Sequence, residues 1–162
     1  MKKVCKILIG GSGSGKTTWA TKFISTFLDV NLGSSAVIVS ADHFFTGFGA
    51  HEYSFNPRQL GIAHKTCHER FSDVLSKEVN LVVVDNTNTT LSEIRPYEKE
   101  ATLAGYTVEF AIFNCDPSVA FKRNAHNVDL KTIEKMQDKI RNTVSLFPAE
   151  WKKSFFNTDV EG

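Results

Sequence analysis

Residues 10–17 of the chain read Gly-Gly-Ser-Gly-Ser-Gly-Lys-Thr, directly after a short apolar run that ends at Ile9. Glycines at this spacing let successive backbone N–H groups turn inward around phosphate oxygens. A helix that follows them points the positive end of its dipole at the same place. Lys16 then reaches the β- and γ-phosphates, and the Thr17 hydroxyl reaches Mg²⁺. Gly11, Ser12, Gly13, Ser14, Gly15, Lys16, Thr17 and Thr18 are therefore the expected set for ATP, or GTP, with Lys16 also serving catalysis. A bare flexible glycine loop is the alternative. The strand before this loop and the amphipathic helix after it are the context that favours the phosphate cradle.

Three further residues fit phosphoryl transfer. Asp85 ends the aliphatic run Leu81–Val84, where a carboxylate holds Mg²⁺ directly or through a water; the alternative is an Asp that caps the next turn. Asp42 follows the second strand in Ser40-Ala41-Asp42, on the side where ligands gather, and can take the proton of an attacking hydroxyl as general base. Its alternative is a plain turn aspartate. Arg123, in Lys122-Arg123-Asn124, is the candidate cation at the transferring phosphate, a role that contributes about 10³–10⁵ in rate where it exists. A solvated helix face is the alternative there, and residues 116–129 are expected to form a short lid.

The segment 43–55 is rich in aromatic residues and leaves the sheet beside Asp42. Phe44, Phe45 and Tyr53 are the expected acceptor-binding wall, since aromatic faces stack on bases for about 1–3 kcal/mol each. The alternative is a small satellite core under a long loop. His43, His51, His64, His68 and His126 are scattered. The pair His64 and His68, at i and i+4, reads as partly buried helix residues rather than a zinc pair.

Strand and helix signals alternate throughout, the pattern of a parallel sheet with helices on both faces. Val4–Ile9, Ala36–Val39, Leu81–Val84 and Tyr106–Phe113 are the four expected strands. Trp19, Ala20, Phe23, Ile24, Phe27 and Leu28 recur at helical spacing after the glycine loop. Asn56 with Pro57, Asp116 with Pro117, and Asp129 read as helix starts. Leu60, Ala63, Cys67, Phe71 and Val74 mark one buried face. A helix over roughly 94–104 ends at Gly105, with Pro96 kinking or blurring its start. The stretch 148–162 is aromatic but unpatterned and is left unassigned.

At 162 residues the chain is expected to be a single domain with a core that needs no disulfide or structural metal. Cys5, Cys67 and Cys115 lack a Cys-x-x-Cys pair and read as reduced core thiols. No apolar run approaches the roughly 20 residues of a membrane span, and the apolar stretch before Gly10 is too short for a secretory signal. A cytoplasmic protein without membrane partners is expected. A net charge of +1 does not advertise a nucleic-acid partner, so any such contact must come from a local patch.

Taken together, Gly-Ser-Gly-Ser-Gly-Lys-Thr-Thr-Trp-Ala, Ser-Ala-Asp-His-Phe-Phe, Val-Asp-Asn-Thr-Asn and Phe-Lys-Arg-Asn resemble the 5′-hydroxyl polynucleotide kinase family of P-loop phosphotransferases. That family includes the kinase domain of bacteriophage polynucleotide kinase and the kinase-like domain of ubiquitin-ligase-binding proteins. Phe55-Asn56-Pro57, Ala63-His64, Pro96-Tyr97 and His126-Asn127-Val128 look especially like the second group, and the likeness runs over about residues 4–145. The resemblance implies an α/β P-loop NTPase fold, ATP and Mg²⁺ as cofactors, and nucleic-acid 5′ ends as partners. It also implies Asp42 as base and Arg123 on the lid. Two departures stand out. His43-Phe44-Phe45 occupy the place where the phage enzyme's acidic and basic residues engage the acceptor strand. The lid is shorter, with His126 and Asn127 where further basic residues belong. The expected activity is transfer of the γ-phosphate of ATP to a 5′-hydroxyl of RNA or DNA. The rivals are a P-loop kinase for a small metabolite or antibiotic and a non-catalytic nucleotide-binding switch or interaction module.

Overall fold

The structure, a computed structural model, describes residues 1–46, 55–124 and 127–159. The elements in chain order are β1 (Val4–Ile9), α1 (Lys16–Val30), β2 (Ala36–Val39), α2 (His43–Thr46), a 3₁₀ turn (Pro57–Gln59) and α3 (Leu60–Ser76). They continue with β3 (Leu81–Asp85), α4 (Leu91–Leu103), β4 (Thr107–Asn114), α5 (Pro117–Arg123), α6 (Leu130–Ser145) and β5 (Lys152–Asn157). The strands lie in the order β2-β3-β1-β4-β5, and every neighbouring pair is parallel. All five strands therefore end at one edge of the sheet, and the residues that follow them meet there.

Side-chain alternation along β1 divides the core in two. Cys5, Ile7 and Ile9 pack on one face with Phe71, Val74, Ile94, Phe110 and Ile140, drawn from α3, α4, β4 and α6. Leu8 turns to the other face, where Trp19, Ala20, Phe23, Ile24 and Phe27 of α1 cover the sheet. Trp19 and Phe23 stack with centroids 4.7 Å apart, a pairing available because residues i and i+4 share a helix face. β3 is buried along its whole length, which is why it reads as an unbroken aliphatic run. Each such buried aliphatic side chain contributes roughly 1.5–3 kcal/mol by leaving water. Helices therefore lie on both faces, unequally, with α1 facing the sheet from one side and α3, α4 and α6 from the other.

The structure departs from expectation at several places. The sheet has five strands, not four, because Lys152–Asn157 pairs with β4. That strand forms an edge, and five of its six residues are exposed, so it carries no apolar pattern. The helix expected from about residue 94 begins at Leu91, because Thr90 and Glu93 form a reciprocal capping box that fixes its start. It runs through Pro96 at the loss of one backbone hydrogen bond. Leu60, expected on the buried face of α3, is 42% exposed. Residues 43–46 form a short helix rather than loop, while residues 47–54 lie outside the described residues. No helix among the described residues is long and apolar enough to cross a membrane.

Candidate active site

The loop between β1 and α1 holds Gly13 at φ +77° and Gly15 at φ +89°, both in the left-handed region that glycine tolerates. A Cβ on Gly13 would lie 2.1 Å from the Ala120 carbonyl oxygen, so this glycine also lets α5 sit directly on the loop. Helix α1 starts without a side-chain cap and without an acidic residue in its first turn. In contrast, Thr90, Asp116 and Asp129 cap α4, α5 and α6 through their own side chains. The first N–H groups of α1 thus point into the cleft, the arrangement that receives a phosphate.

Lys16 is 8% exposed, and its Nζ donates to the Gly11 carbonyl at 3.0 Å. Burial lowers its pKa below the ordinary lysine value, against the opposing pull of Asp85 and then Asp42. The ammonium is thus held against the glycine loop, within the field of Asp85 and Asp42. The Thr17 hydroxyl donates to Asp85 Oδ2 at 2.7 Å. These two side chains offer a pair of hard oxygens, which suits Mg²⁺, an ion that takes one or two protein ligands and fills its remaining positions with water and phosphate oxygens. Thr17 and Asp85 would be its holders, and the ion would neutralise charge on the phosphates.

The four residues after β3 build the floor. Asn86 Oδ1 accepts from Ala41 N at 2.8 Å, fixing the chain one residue before Asp42. Asn86 Nδ2 faces Cys67 Sγ at 3.6 Å. The Thr87 carbonyl accepts from Gly10 N at 3.1 Å, and Asn88 Nδ2 donates to the Leu8 carbonyl at 2.7 Å. Asn88 is 2% exposed and holds φ at +51°, a strained backbone that its buried hydrogen bond secures. Sequence reasoning used Asp85 from this stretch and missed Asn86 and Asn88 as positioning residues. The signal was the polar run Asn86-Thr87-Asn88 following a fully aliphatic strand.

Asp42 sits beyond the end of β2, its backbone N–H donating to Ser40 Oγ at 3.2 Å. His43 is held below its ordinary pKa first by burial and then by the Arg70 guanidinium, with Asp85 and Asp42 acting in opposition. Arg70 Nη1 lies 3.1 Å from His43 Nδ1, and since arginine only donates, Nδ1 is the acceptor and the ring proton sits on Nε2. Arg123 lines the same cleft as the glycine loop. Its Nη1 donates to the Thr158 carbonyl at 2.5 Å, while Thr158 Oγ1 donates to the Ser14 carbonyl at 2.7 Å. The unassigned tail thus reaches the site through Thr158, a contact no sequence signal announced.

The cleft has two halves, each about 440 Å³. One half, at the glycine loop, is lined by residues 12–18, Asp42, Asp85, Asn86, Thr87, Arg123 and Asn124. The other half is lined by Phe55, Leu60 and His64 from the segment that opens α3, and by Val128, Thr132, Lys135, Met136 and Lys139 from α6 and the residues before it. Ser12, Asp42, Asn86 and Thr87 line both. Of the expected aromatic wall, Phe45 is placed differently. Phe45 is 5% exposed and packs in the core with Phe44 against it, so its ring has no face to offer a base. Phe45 instead backs Phe55, with centroids 5.1 Å apart. Tyr53 lies outside the described residues.

Comparison with known proteins places this arrangement. The chain is 29% identical to human NEDD4-binding protein 2 over 147 residues, which is 88% of this chain and 8% of that protein. A solved chain of the Pnkp1/Rnl/Hen1 RNA repair complex superposes with TM-score 0.68 at 21% identity, covering 91% of this chain and 47% of that one. The Mycobacterium tuberculosis APS kinase CysC, with AMPPNP and APS, superposes with TM-score 0.62 at 17% identity, covering 99% of this chain and 91% of that one. This chain accordingly spans a small part of the first relative and about half of the second. These likenesses establish the P-loop kinase fold. The AAA domain family AAA_33 matches residues 6–142, and the chain belongs to that family.

Proposed function

We propose that this chain is an ATP-dependent phosphotransferase that moves the γ-phosphate to the 5′-hydroxyl of an RNA or DNA end. The observation that carries the reading is the position of Asp42, which lines both halves of one continuous cleft. A hydroxyl that enters from the half lined by Phe55, Leu60 and α6, the acceptor half, comes beside this carboxylate where that half joins the one at the glycine loop, the donor half. In the transfer, the acceptor oxygen forms a bond to the γ-phosphorus, the bond to the β–γ bridging oxygen breaks, and ADP leaves. The hydroxyl proton passes to Asp42. Lys16 and the N-terminus of α1 hold the phosphates, and Arg123 leaves the Thr158 carbonyl to meet the charge that grows on the γ-phosphate oxygens. Residues 116–129, of which 125 and 126 lie outside the described residues, are the short lid in this scheme. Likeness to a chain of the Pnkp1/Rnl/Hen1 RNA repair complex supports the choice of a nucleic-acid end.

A second reading, a small-metabolite kinase, is favoured by one observation: the APS kinase matches almost end to end. Transfer of label from γ-labelled ATP onto a panel of 5′-hydroxyl oligonucleotides, nucleosides and small alcohols separates the two. Oligonucleotides ranking first in kcat/KM supports the proposal. A small alcohol as the sole acceptor replaces it with the second reading, and hydrolysis without any acceptor rejects both.

A further inference from the structure

The acceptor half of the cleft has two unlike walls. One is formed by Phe55, Leu60 and His64, with the two apolar side chains substantially exposed. The other is a face of α6 on which Thr132, Lys135, Met136 and Lys139 follow one another at i, i+3, i+4 and i+7. The same helix turns Ile133 and Ile140 inward to the core, so the lysines are held at the rim by a fixed element. They stand one turn apart, about 6 Å along the axis. Neither lysine has an ion-pair partner among the described residues.

The acidic groups nearby are committed elsewhere. Glu93 lines the cleft, but its Oε2 accepts from Thr89 N at 2.8 Å and from Thr90 N at 3.4 Å in the capping box. Asp129 feels Lys135 and Lys131 electrostatically, yet its Oδ1 accepts from Thr132 N at 2.7 Å as the cap of α6. The segment after Asp42 supplies no cation either. His43 is held below its ordinary pKa, Phe45 is buried with Phe44 packed against the core beside it, and residues 47–54 contain no Lys or Arg. Among the described residues that line the acceptor half, Lys135 and Lys139 of α6 are the only Lys or Arg, so an anionic group carried by an acceptor whose hydroxyl faces Asp42 meets them there.

We propose that Lys135 and Lys139 bind the phosphodiester on the 3′ side of the nucleotide whose 5′-hydroxyl faces Asp42, while Phe55 and Leu60 receive its base. This rests on the polynucleotide reading above and adds its specificity device. The apolar wall takes the flat part of the ligand, and the paired cations select acceptors that carry a phosphate over neutral alcohols. A nearly neutral chain thereby obtains a local basic patch at the one place where an end must be gripped.

The test compares the full chain with the Lys135→Gln/Lys139→Gln variant. Both lysines are exposed, so the core is untouched. Two acceptors are used: a 5′-hydroxyl oligonucleotide, and the same sequence with neutral methylphosphonates at its first two linkages. The wild type is expected to favour the charged acceptor through KM. In the variant, KM for that acceptor rises about tenfold, kcat changes little, and the preference for charge over neutrality collapses toward one. The salt slope of binding falls by roughly 0.7 per lysine. A variant that keeps the wild-type preference, or that weakens toward both acceptors equally, overturns the inference. Fluorescence anisotropy of a labelled oligonucleotide, with a non-hydrolysable ATP analogue present, separates this from the function itself. Weaker binding by the variant supports the lysine assignment even where wild-type transfer is absent and the kinase reading falls. Equal affinity, or no binding by the wild type, overturns the assignment whatever the turnover shows.

Discussion

The two halves of the cleft are built by different means. On the donor side, eight consecutive residues form the cradle through backbone N–H groups, two left-handed glycines and the uncapped start of α1. On the acceptor side, the lining comes from side chains of Phe55, of α3 and of α6, brought together only when the sheet is covered. A site made of backbone is written in a short stretch of sequence, because the turn and its glycines are local. A site made of side chains from distant helices is written in the packing, and its residues look ordinary until the fold assembles them. Asp42 and the residues after β3 are the seam between the two.

Substitutions on each side of that seam should separate binding of ATP from transfer. The largest effect is expected for Lys16→Ala, which removes the buried cation of the donor half: transfer falls by about 10³ or more, and ATP affinity falls with it. Calorimetry and turnover check this, and unchanged values in both would break the donor assignment. Arg123→Ala should lower kcat by about 10³ while ATP affinity changes less, since its contact with the phosphate strengthens only in the transition state. A wild-type kcat would return Arg123 to its bond with the Thr158 carbonyl as a purely structural residue.

Asp42→Asn keeps the size of the side chain but cannot take a proton, and transfer should drop by about 10² with ATP affinity nearly retained. Transfer at the wild-type rate would move the base elsewhere along the seam, with Asp85 next. The smallest effect is expected for Asn86→Ala. It leaves the buried Ala41 N–H without its acceptor, at a cost of about 1–3 kcal/mol, and loosens the chain beside Asp42. Thermal melting should show that loss, and kcat should fall about tenfold with ATP affinity little changed. A variant with lowered melting temperature and full kcat would confine Asn86 to stability.

Much of the frame was legible. The strands β1 and β2 stand where their β-rich runs lie, and Asp116 and Asp129 cap the helices they were expected to open, whereas Asn56 caps only the 3₁₀ turn that precedes α3. The glycine loop, Lys16, Thr17 and Asp85 meet as their order along the chain implied. Other features were hidden for physical reasons. Thr90-Leu91-Ser92-Glu93 carries a capping box, but Pro96 in the second turn interrupts the helical signal that would follow it. The edge strand β5 carries charges where a central strand would carry aliphatics, and Thr158 follows it without any motif. Phe45 belongs to an aromatic run that fits a stacking wall as well as a core, and only its burial distinguishes the two. Lys135 and Lys139 look like solvated helix residues until α3 is set opposite them.

The account stands most directly on two ligands occupying separate halves that meet at one carboxylate. Backbone amide chemical shifts, recorded with a non-hydrolysable ATP analogue and then with a 5′-hydroxyl oligonucleotide, measure this residue by residue. The analogue is expected to move residues 10–18, and the oligonucleotide to move residues 55–64 and 128–139. Both ligands should move Asp42, Asn86 and Thr87. An oligonucleotide that perturbs only the glycine loop, or that leaves the acceptor half and Asp42 unmoved, would contradict it.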